Sequence, residues 1–385
     1  MKRKICVVIT ARPSYSRIKS ALHAITRHPE LELQLVLAAS TLLDRYGSTI
    51  RQIEKDGFKI AAKVFMVLEG ENLVTSAKTT GLGLMELATV FDNLKPDIVV
   101  TIADRYETIA TAIAASYMNI PLAHIQGGEV TGSIDEKVRH SVTKLADLHF
   151  VATEKAAERV IKMGEDPQRV FMTGCPSVDL AAQVLRNPAL DFDPIERYAG
   201  VGTRLRSESK DYLIVMQHPV TTEYEHSRAQ VLETLHAIRD IGMQTYWFWP
   251  NVDAGSDGTS KGIRAFRENE NPANIWFFKS MAPEDFLKLL YNSRGIVGNS
   301  SVAVRECSYL GVPAVAVGGR QGGRERGRNA LEVGYEREAI KQAIRQHLMN
   351  GRYPSDLLYG DGKAGERIAD LLATLPLSIE KQLTY

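Results

Sequence analysis

Residues 5–39, ICVVITARPSYSRIKSALHAITRHPELELQLVLAA, contain the pattern that decides the fold. Two short apolar runs, at 5–10 and 33–39, lack regular alternation with polar residues, and a helical stretch lies between them. In β-α-β units the parallel strands are covered by helices on both faces. Both faces of each strand are therefore apolar, and its sequence shows no alternation with polar residues. The stretch therefore predicts the start of a parallel α/β sheet.

The same alternation continues along the chain in two blocks. A segment rich in proline, glycine and charge, residues 186–211, separates them. The further predicted strands lie at 98–103, 121–125, 148–153 and 170–174 before this segment, and at 212–218, 244–250, 274–279, 295–299 and 313–318 after it. We therefore predict two doubly wound, Rossmann-like domains, residues 1–185 and 186–365, that face a ligand-binding cleft.

Composition narrows the possible functions. The chain has 385 residues, 44% of them hydrophobic and 24% charged, and its formal net charge is +1. This balance argues against nucleic acid or a membrane as the main partner. The three cysteines, Cys6, Cys175 and Cys307, are widely spaced and show no disulfide framework, and the N-terminal apolar run is too short for a signal peptide. We expect a cytoplasmic enzyme.

Two loops that follow predicted strands of the first block contain residues suited to anions. TARPSYSR, residues 10–17, places Arg12 and Ser16 at a helix start, where phosphate is favoured. An ordinary helix cap with a surface arginine explains that loop equally well. IADRYE, residues 102–107, places Asp104 and Arg105 at the same sheet edge. A surface ion pair is the usual interpretation of such residues, but their position beside the Arg12 loop strengthens the alternative of a site.

The second block has the sharpest motif, VGNSSVAVRECSYLGVP at 297–313. Its Gly-Asn-Ser-Ser sequence is predicted to open a helix containing Arg305 and Glu306, and it supplies close backbone approach, N–H groups and hydroxyls for a diphosphate. The loop GGRQGGRERGRN, residues 318–329, follows. Aromatic residues do not interleave with its arginines, so a loop over phosphates is favoured above RGG-like RNA binding.

Titratable residues are concentrated in HIQGGEVTGSIDEKVRH, residues 124–140. Glu136 and His140 are spaced to contact each other on a helix surface, which is preferred to a metal site. His218 follows another predicted strand, although a buried, hydrogen-bonded histidine is the usual alternative. No HExxH, CxxC or EF-hand pattern occurs, so neither a metal nor another cofactor is expected. GxGxxG is missing after the first strand, which disfavours a nicotinamide dehydrogenase, and the absence of GxSxG disfavours an α/β-hydrolase.

Together these motifs resemble a known family. RPSYS, LKPDIVVTIADRYE, HIQGGEVTGSIDEKVRHSVTKLAD, GCPSVD, QHPVTTE, WPNVDAGS, GNSSVAVRE, GGRQGGRERGRN and YGDGKAGERI are similar to segments, in the same order, of the hydrolysing UDP-N-acetylglucosamine 2-epimerases of sialic-acid biosynthesis. The resemblance implies the GT-B architecture, with a C-terminal helix in 366–385 that returns to the first domain. It also implies conversion of UDP-GlcNAc to ManNAc and UDP, and a homodimer or homotetramer.

The resemblance also implies roles for individual residues. Asp104, Asp135 and His218 match positions assigned to catalysis, and Gln126 and Glu129 join them as candidates in the same glycine-containing loop. The expected nucleotide-binding and substrate-binding residues are Arg12, Ser16, Arg105, Asn251, Ser300, Ser301, Glu306 and Arg320. The arginines and serines are expected at the diphosphate, Glu306 at the ribose and Asn251 on the UDP side.

One residue departs from the family pattern. The sialic-acid branch has a catalytic glutamate where this chain has Gln126, and a glutamine amide does not exchange a proton at neutral pH. Either acid/base catalysis is then performed by Asp104, Glu129, Asp135 or His218, or the substrate contains a sugar other than GlcNAc. A UDP-linked 2,4-diacetamido-trideoxyglucose and a GDP-sugar, as in the legionaminic-acid pathway, are the substrates that compete with UDP-GlcNAc. A GT-B glycosyltransferase and a non-catalytic nucleotide-sugar binding protein are two further candidate functions.

Overall fold

The structure is a computed structural model that describes residues 1–43, 49–70, 72–103, 105–131, 134–202, 211–250 and 255–384. The chain forms two compact units. The first comprises Met1–Glu129, Ile134–Leu180 and Tyr359–Tyr385, and the second comprises Val130–Ser133 and Ala181–Leu358.

The first unit is built on a seven-stranded parallel sheet with the order β3-β2-β1-β4-β5-β6-β7. Its strands are β1 Arg3–Ile9, β2 Leu31–Ala38, β3 Ile60–Val64, β4 Ile98–Ile102, β5 Leu122–Ile125, β6 Leu148–Val151 and β7 Val170–Met172. The central strands are buried on both faces, as their continuous apolar sequences require. The strand order reverses between β1 and β4, and ligands of doubly wound sheets bind at such a reversal.

Helices cover both faces of this sheet. They are α1 Arg12–Arg27, α2 Thr49–Lys55, α3 Leu73–Leu94, α4 Thr108–Tyr117, α5 Asp135–Leu145, α6 Glu154–Lys162 and α7 Pro176–Arg186. The last helix of the chain, Ala364–Thr374, packs against α1 so closely that a Cβ on Gly365 would lie 2.7 Å from the backbone of Ala21.

The second unit repeats this winding on six parallel strands, with the order β10-β9-β8-β11-β12-β13. They are β8 Tyr212–Met216, β9 Gln244–Phe248, β10 Ile275–Phe278, β11 Gly295–Gly298, β12 Ala314–Val317 and β13 Ala330–Val333. Its helices are α8 Pro194–Tyr198, α9 Ser227–Ile241, α10 Ser256–Glu270, α11 Pro283–Asn292, α12 Glu306–Leu310 and α13 Arg337–Asn350. The last helix of the chain, Ala364–Thr374, is α14 and belongs to the first unit. The order reverses between β8 and β11, so their carboxyl ends form the second candidate ligand position.

The predicted fold class, two doubly wound parallel sheets, is confirmed. Two edge strands, β3 and β13, lay outside the predicted set. The Gly-Asn-Ser-Ser motif does not open one continuous helix as predicted. It leads into a 3-10 turn, Ser301–Ala303, and α12 begins only at Glu306. Arg305, with φ −103° and ψ −75°, separates the turn from the helix. Among the described residues, no helix is long and apolar enough to cross a bilayer.

Candidate active site

Arg12 and Ser16 lie where β1 meets α1. Arg12 is the first residue of α1, and Pro13, which has no N–H to satisfy, occupies the next position. Burial lowers the pKa of the Arg12 guanidinium to about 10, so it stays cationic at neutral pH. The Ser16 hydroxyl donates to the Arg12 carbonyl at 3.3 Å, within its own helix. The cation at this helix start is suited to an anion.

The end of β4 contains a buried ion pair. Ala103 turns the chain with a φ of +61°, and Asp104 lies outside the described residues. Arg105 Nε donates to Glu107 Oε1 at 2.8 Å, and both side chains are buried. Glu107 thus fixes one edge of the Arg105 guanidinium, a contact that the sequence alone did not indicate.

Gln126 and the two glycines after it form a tight turn at the end of β5. Gln126 has a φ of +66°, and its side chain is buried. Its Nε2 donates to Cys175 Sγ at 2.7 Å. A Cβ on Gly127 would lie 2.9 Å from the Thr143 hydroxyl, and one on Gly128 would lie 2.2 Å from the Ala156 carbonyl. Gly128, whose φ is +74°, therefore requires glycine, whereas a side chain at Gly127 would displace the Thr143 hydroxyl. The amide of Gln126 is fixed against a thiol.

The residues after this turn are organised by Arg139. Its guanidinium is fully buried and donates to the Glu129 carbonyl at 2.8 Å and to Glu136 Oε2 at 2.7 Å. Glu136 Oε1 also contacts His140 Nε2 at 2.9 Å, as predicted for a pair on one helix face. Asp135 is the first residue of α5, where the helix dipole favours a carboxylate.

In the second unit, His218 and Asn299 meet where the strand order reverses. His218 follows β8, Asn299 follows β11, and the two side chains are 4% and 1% exposed. The Asn299 Oδ1 accepts from the His218 N–H, and its Nδ2 donates to the His218 carbonyl, both at 2.7 Å. The Asn299 side chain thus holds both backbone polar groups of His218.

The serines and Glu306 follow Asn299 directly. Ser300 Oγ caps the 3-10 turn by accepting from the Val302 N–H at 3.4 Å, and Ser301 is the first residue of that turn. Glu306, 8% exposed, has one carboxylate oxygen, Oε2, that is buried and makes no hydrogen bond to the residues that the structure describes. A buried acceptor of this kind suits a ligand hydroxyl.

The arginine-rich loop returns to the same residue. Arg320 Nη1 donates to the Asn299 carbonyl at 3.2 Å, and Gln321 Nε2 donates to it at 2.8 Å. Arg324 in turn donates to Gln321 Oε1 at 2.8 Å. His218, Ser300, Ser301 and Arg320 are therefore brought together around Asn299.

Some predicted features lie outside what the structure describes, and others were missed. Asp104 and Asn251 are not among the described residues. Within the described part of the chain, no group of three or more His, Cys, Asp or Glu side chains is arranged to hold a metal ion. Asn299, Gln321 and Cys175 were not predicted as site residues. Asn299 and Gln321 had a sequence signal, since they lie in the Gly-Asn-Ser-Ser motif and in the loop 318–329, whereas Cys175 had none.

Comparison with known proteins identifies the relatives of this chain. A family model described as UDP-N-acetylglucosamine 2-epimerase matches residues 23–373. The hydrolysing UDP-N,N'-diacetylbacillosamine 2-epimerase of Legionella pneumophila is 31% identical over 98% of this chain and 97% of its own. The UDP-N-acetylglucosamine 2-epimerase of Neisseria meningitidis serogroup B is 29% identical over 97% and 95%.

The fold has a close counterpart among solved structures. The crystal structure of Methanocaldococcus jannaschii UDP-GlcNAc 2-epimerase, in complex with UDP-GlcNAc and UDP, superimposes with a TM-score of 0.80 at 20% identity. The match covers 96% of this chain and 99% of that one. The likeness shows that this chain shares with that structure a fold of two Rossmann-like units, the GT-B fold.

The chain belongs to the UDP-N-acetylglucosamine 2-epimerase family. The predicted family is thereby confirmed, and so is the prediction that the protein is an enzyme of the hydrolysing nucleotide-sugar 2-epimerase class.

Proposed function

We propose that the enzyme cleaves a UDP-linked 2-acetamido sugar and releases UDP and the free 2-epimer, with UDP-GlcNAc giving ManNAc as the first candidate reaction. The observation that carries the proposal is the family match over residues 23–373, together with the near full-length similarity to a hydrolysing relative. The free sugar would then serve the biosynthesis of a sialic-type nonulosonic acid.

The second unit is proposed to bind the nucleotide. Arg320, Ser300 and Ser301 lie around one strand end, so a cation and two hydroxyls are available to a diphosphate. The buried Oε2 of Glu306 can accept from a ribose hydroxyl. Asn251 is proposed on the UDP side, and Arg12 of the first unit is proposed as a further cation for the diphosphate.

The reaction is proposed to begin with elimination. A base removes the proton at C2, the C2–H electrons form the C1–C2 double bond, and the C1–O electron pair leaves with UDP. Arginine and N–H donors stabilise the charge that develops on the leaving diphosphate. The product of this step is a glycal.

Water then adds to the glycal. The water oxygen bonds to C1, and a proton reaches C2 from the face opposite to the one that lost it, so two proton-handling groups are needed. The candidates are Asp104, Glu129, Asp135 and His218. Gln126 is not among the titrating groups, and its amide is engaged with Cys175. We propose that it contacts the sugar and selects it.

A 2,4-diacetamido-trideoxy sugar linked to UDP is the second candidate substrate. Two observations favour it: the Legionella relative is named for such a sugar, and Gln126 stands where the sialic-acid branch has glutamate. An amide presents both a donor and an acceptor, so it suits an acetamido group at least as well as a hydroxyl.

The test is UDP release from each sugar nucleotide in the absence of any acceptor. We expect equimolar UDP and free 2-epimer from one of the two substrates. Asp104→Asn and Asp135→Asn should each lower kcat at least a hundred-fold while UDP still binds. UDP release only after an acceptor is added would identify a glycosyltransferase, and UDP binding without turnover on any of the tested sugars would identify a binding protein.

A further inference from the structure

Asn299 of the second unit is a buried residue to which neither the proposed reaction nor the family resemblance assigns a role. Asn299 is 1% exposed and stands directly after β11, beside the end of β8. Gly298 before it has a φ of +132°, and a Cβ there would lie 2.2 Å from the Met216 carbonyl. The chain therefore passes β8 at a distance that only glycine permits, and this approach brings Asn299 to His218.

The contacts of the Asn299 side chain need an amide. Its Oδ1 accepts from the His218 N–H and its Nδ2 donates to the His218 carbonyl, so one group acts as acceptor and donor at once. A carboxylate cannot donate, and the hydroxyl of serine is too short to reach both atoms. These two bonds hold both polar groups of the His218 backbone, which leaves the histidine little freedom to rotate about its main chain.

The main-chain carbonyl of the same residue holds the arginine loop. It accepts from Arg320 Nη1 at 3.2 Å and from Gln321 Nε2 at 2.8 Å. The side chain of Asn299 thus fixes the histidine, and its carbonyl fixes the guanidinium. One residue therefore links the two groups by direct hydrogen bonds.

We propose that Asn299 is a positioning residue that sets the His218 imidazole relative to the Arg320 guanidinium. The inference rests on the proposed function, in which His218 handles a proton while Arg320 stabilises the leaving diphosphate. Catalysis of this kind depends on fixed geometry, since small displacements of a proton-handling group lower the rate strongly.

The experiment compares Asn299→Ser with Asn274→Ser, both without a change of charge. Asn274 is a control from the same unit: it is partly buried, and its Nδ2 donates to the Met243 carbonyl at 2.9 Å, at the amino ends of β9 and β10. We expect N299S to lower kcat at least ten-fold, with changes in KM and in the Kd for UDP below about three-fold. N274S should keep kcat per folded molecule within about two-fold.

A double-mutant cycle separates positioning from a merely structural role. In the His218→Asn background, N299S should lower kcat no further, because the group that it positions is already absent. The limb of the pH–rate profile that His218→Asn removes should also shift in N299S and not in N274S. Independent, multiplicative effects of the two substitutions, or an N299S rate within about two-fold of the unmodified enzyme, would overturn the proposal.

Two further measurements keep the test decisive. If N299S does not fold, Asn299→Asp keeps the volume and the acceptor but loses the donor to the His218 carbonyl, and the same loss of kcat is expected. An unchanged rate in N299D would overturn the proposal. UDP release by the unmodified enzyme is measured first. If the unmodified enzyme releases no UDP, the proposed function is contradicted. If it turns over normally and N299S has the same kcat, only the positioning role is contradicted.

Discussion

Individual residues of this protein are constrained most strongly where the backbone itself touches a neighbour. Gly298 is the clearest case, since its φ of +132° and the 2.2 Å approach of a Cβ to the Met216 carbonyl both exclude a side chain. A Cβ on Gly81, within α3, would meet no described atom within 4 Å outside its own stretch of helix. The two glycines therefore differ in whether a side chain can replace them.

Gly298→Ala is predicted to lower the free energy of unfolding by at least about 2 kcal/mol, from backbone strain and the steric clash. Gly81→Ala should instead raise it by up to about 1 kcal/mol, because alanine is the better helix former. Urea denaturation of both variants checks this. A Gly298→Ala protein as stable as the unmodified chain would show that β8 and β11 do not approach as closely as the structure places them.

The buried ion pair of Arg105 and Glu107 gives a second prediction for single residues. Glu107→Gln removes the charge that balances a buried guanidinium, so we expect a loss of about 3 kcal/mol of stability. Asp92→Asn is the control, because Asp92 and its partner Lys95 are both largely exposed, and it should change stability by less than about 1 kcal/mol. Equal effects of the two substitutions, measured by urea denaturation, would contradict the assignment of a buried pair.

Among the larger elements, the C-terminal segment is held to the first unit by charge. Lys381 contacts the buried carboxylate of Glu165 and donates to the carbonyl of Ala146. Glu165 also accepts from His149 and from Lys144. Burial alone would raise the pKa of Glu165, but these hydrogen bonds lower it to about 2. The segment thus contributes a cation to a buried cluster.

Lys381→Met is predicted to destabilise the protein by about 1–3 kcal/mol, because a buried carboxylate loses one of its hydrogen-bond partners. Lys261→Met, which removes an exposed pair with Asp257, should cost less than about 1 kcal/mol. Limited proteolysis adds a local readout, since K381M should be cleaved faster within residues 376–384. A K381M protein with the stability and cleavage rate of K261M would contradict the role of the cluster.

The same cluster predicts a pH dependence. Glu165 has a lower pKa when folded than the ordinary value of 4.5, so its stabilising contribution is complete above about pH 4.5 and is lost as the pH falls towards 2. The stability difference between the unmodified protein and Glu165→Gln should therefore be largest near pH 7 and narrow below about pH 4.5. Urea denaturation from about pH 7 to about pH 3 measures it, and a constant difference would contradict the shift.

The sequence predicted the central strands and the edge strands β7 and β10, but it missed the edge strands β3 and β13. β1, β4 and β8 are buried on both faces, so their side chains are apolar without interruption. β3 and β13 lie at sheet edges with several side chains partly exposed, and IAAKV and ALEV therefore lack a distinct apolar run.

The candidate site also contains features that the sequence predicted and features that it could not predict. Loops after strands were predicted because chain order places their residues at one sheet edge. The contact between Gln126 and Cys175 and the contacts of Asn299 with His218 join residues that are 49 and 81 positions apart. Periodicity describes only neighbours along the chain, and it cannot indicate such pairs.

The two units of the molecule share one doubly wound sheet topology. The strand order reverses between β1 and β4 in the first unit and between β8 and β11 in the second. The first unit contains most of residues 124–140, and the second contains Asn299 and the arginine loop 318–329. Most of the proposed proton-handling residues belong to the first unit and most of the proposed nucleotide ligands to the second, with His218 and Arg12 as the exceptions.

The central claim is that a C2 hydrogen is removed and replaced while UDP leaves. The most direct measurement is the reaction in D2O with UDP-GlcNAc and with its UDP-linked 2,4-diacetamido relative, followed by NMR of the sugar product. The account predicts a free 2-epimer carrying deuterium at C2 and released UDP. A free sugar that retains its original hydrogen and configuration at C2, or a product still linked to UDP, would contradict it.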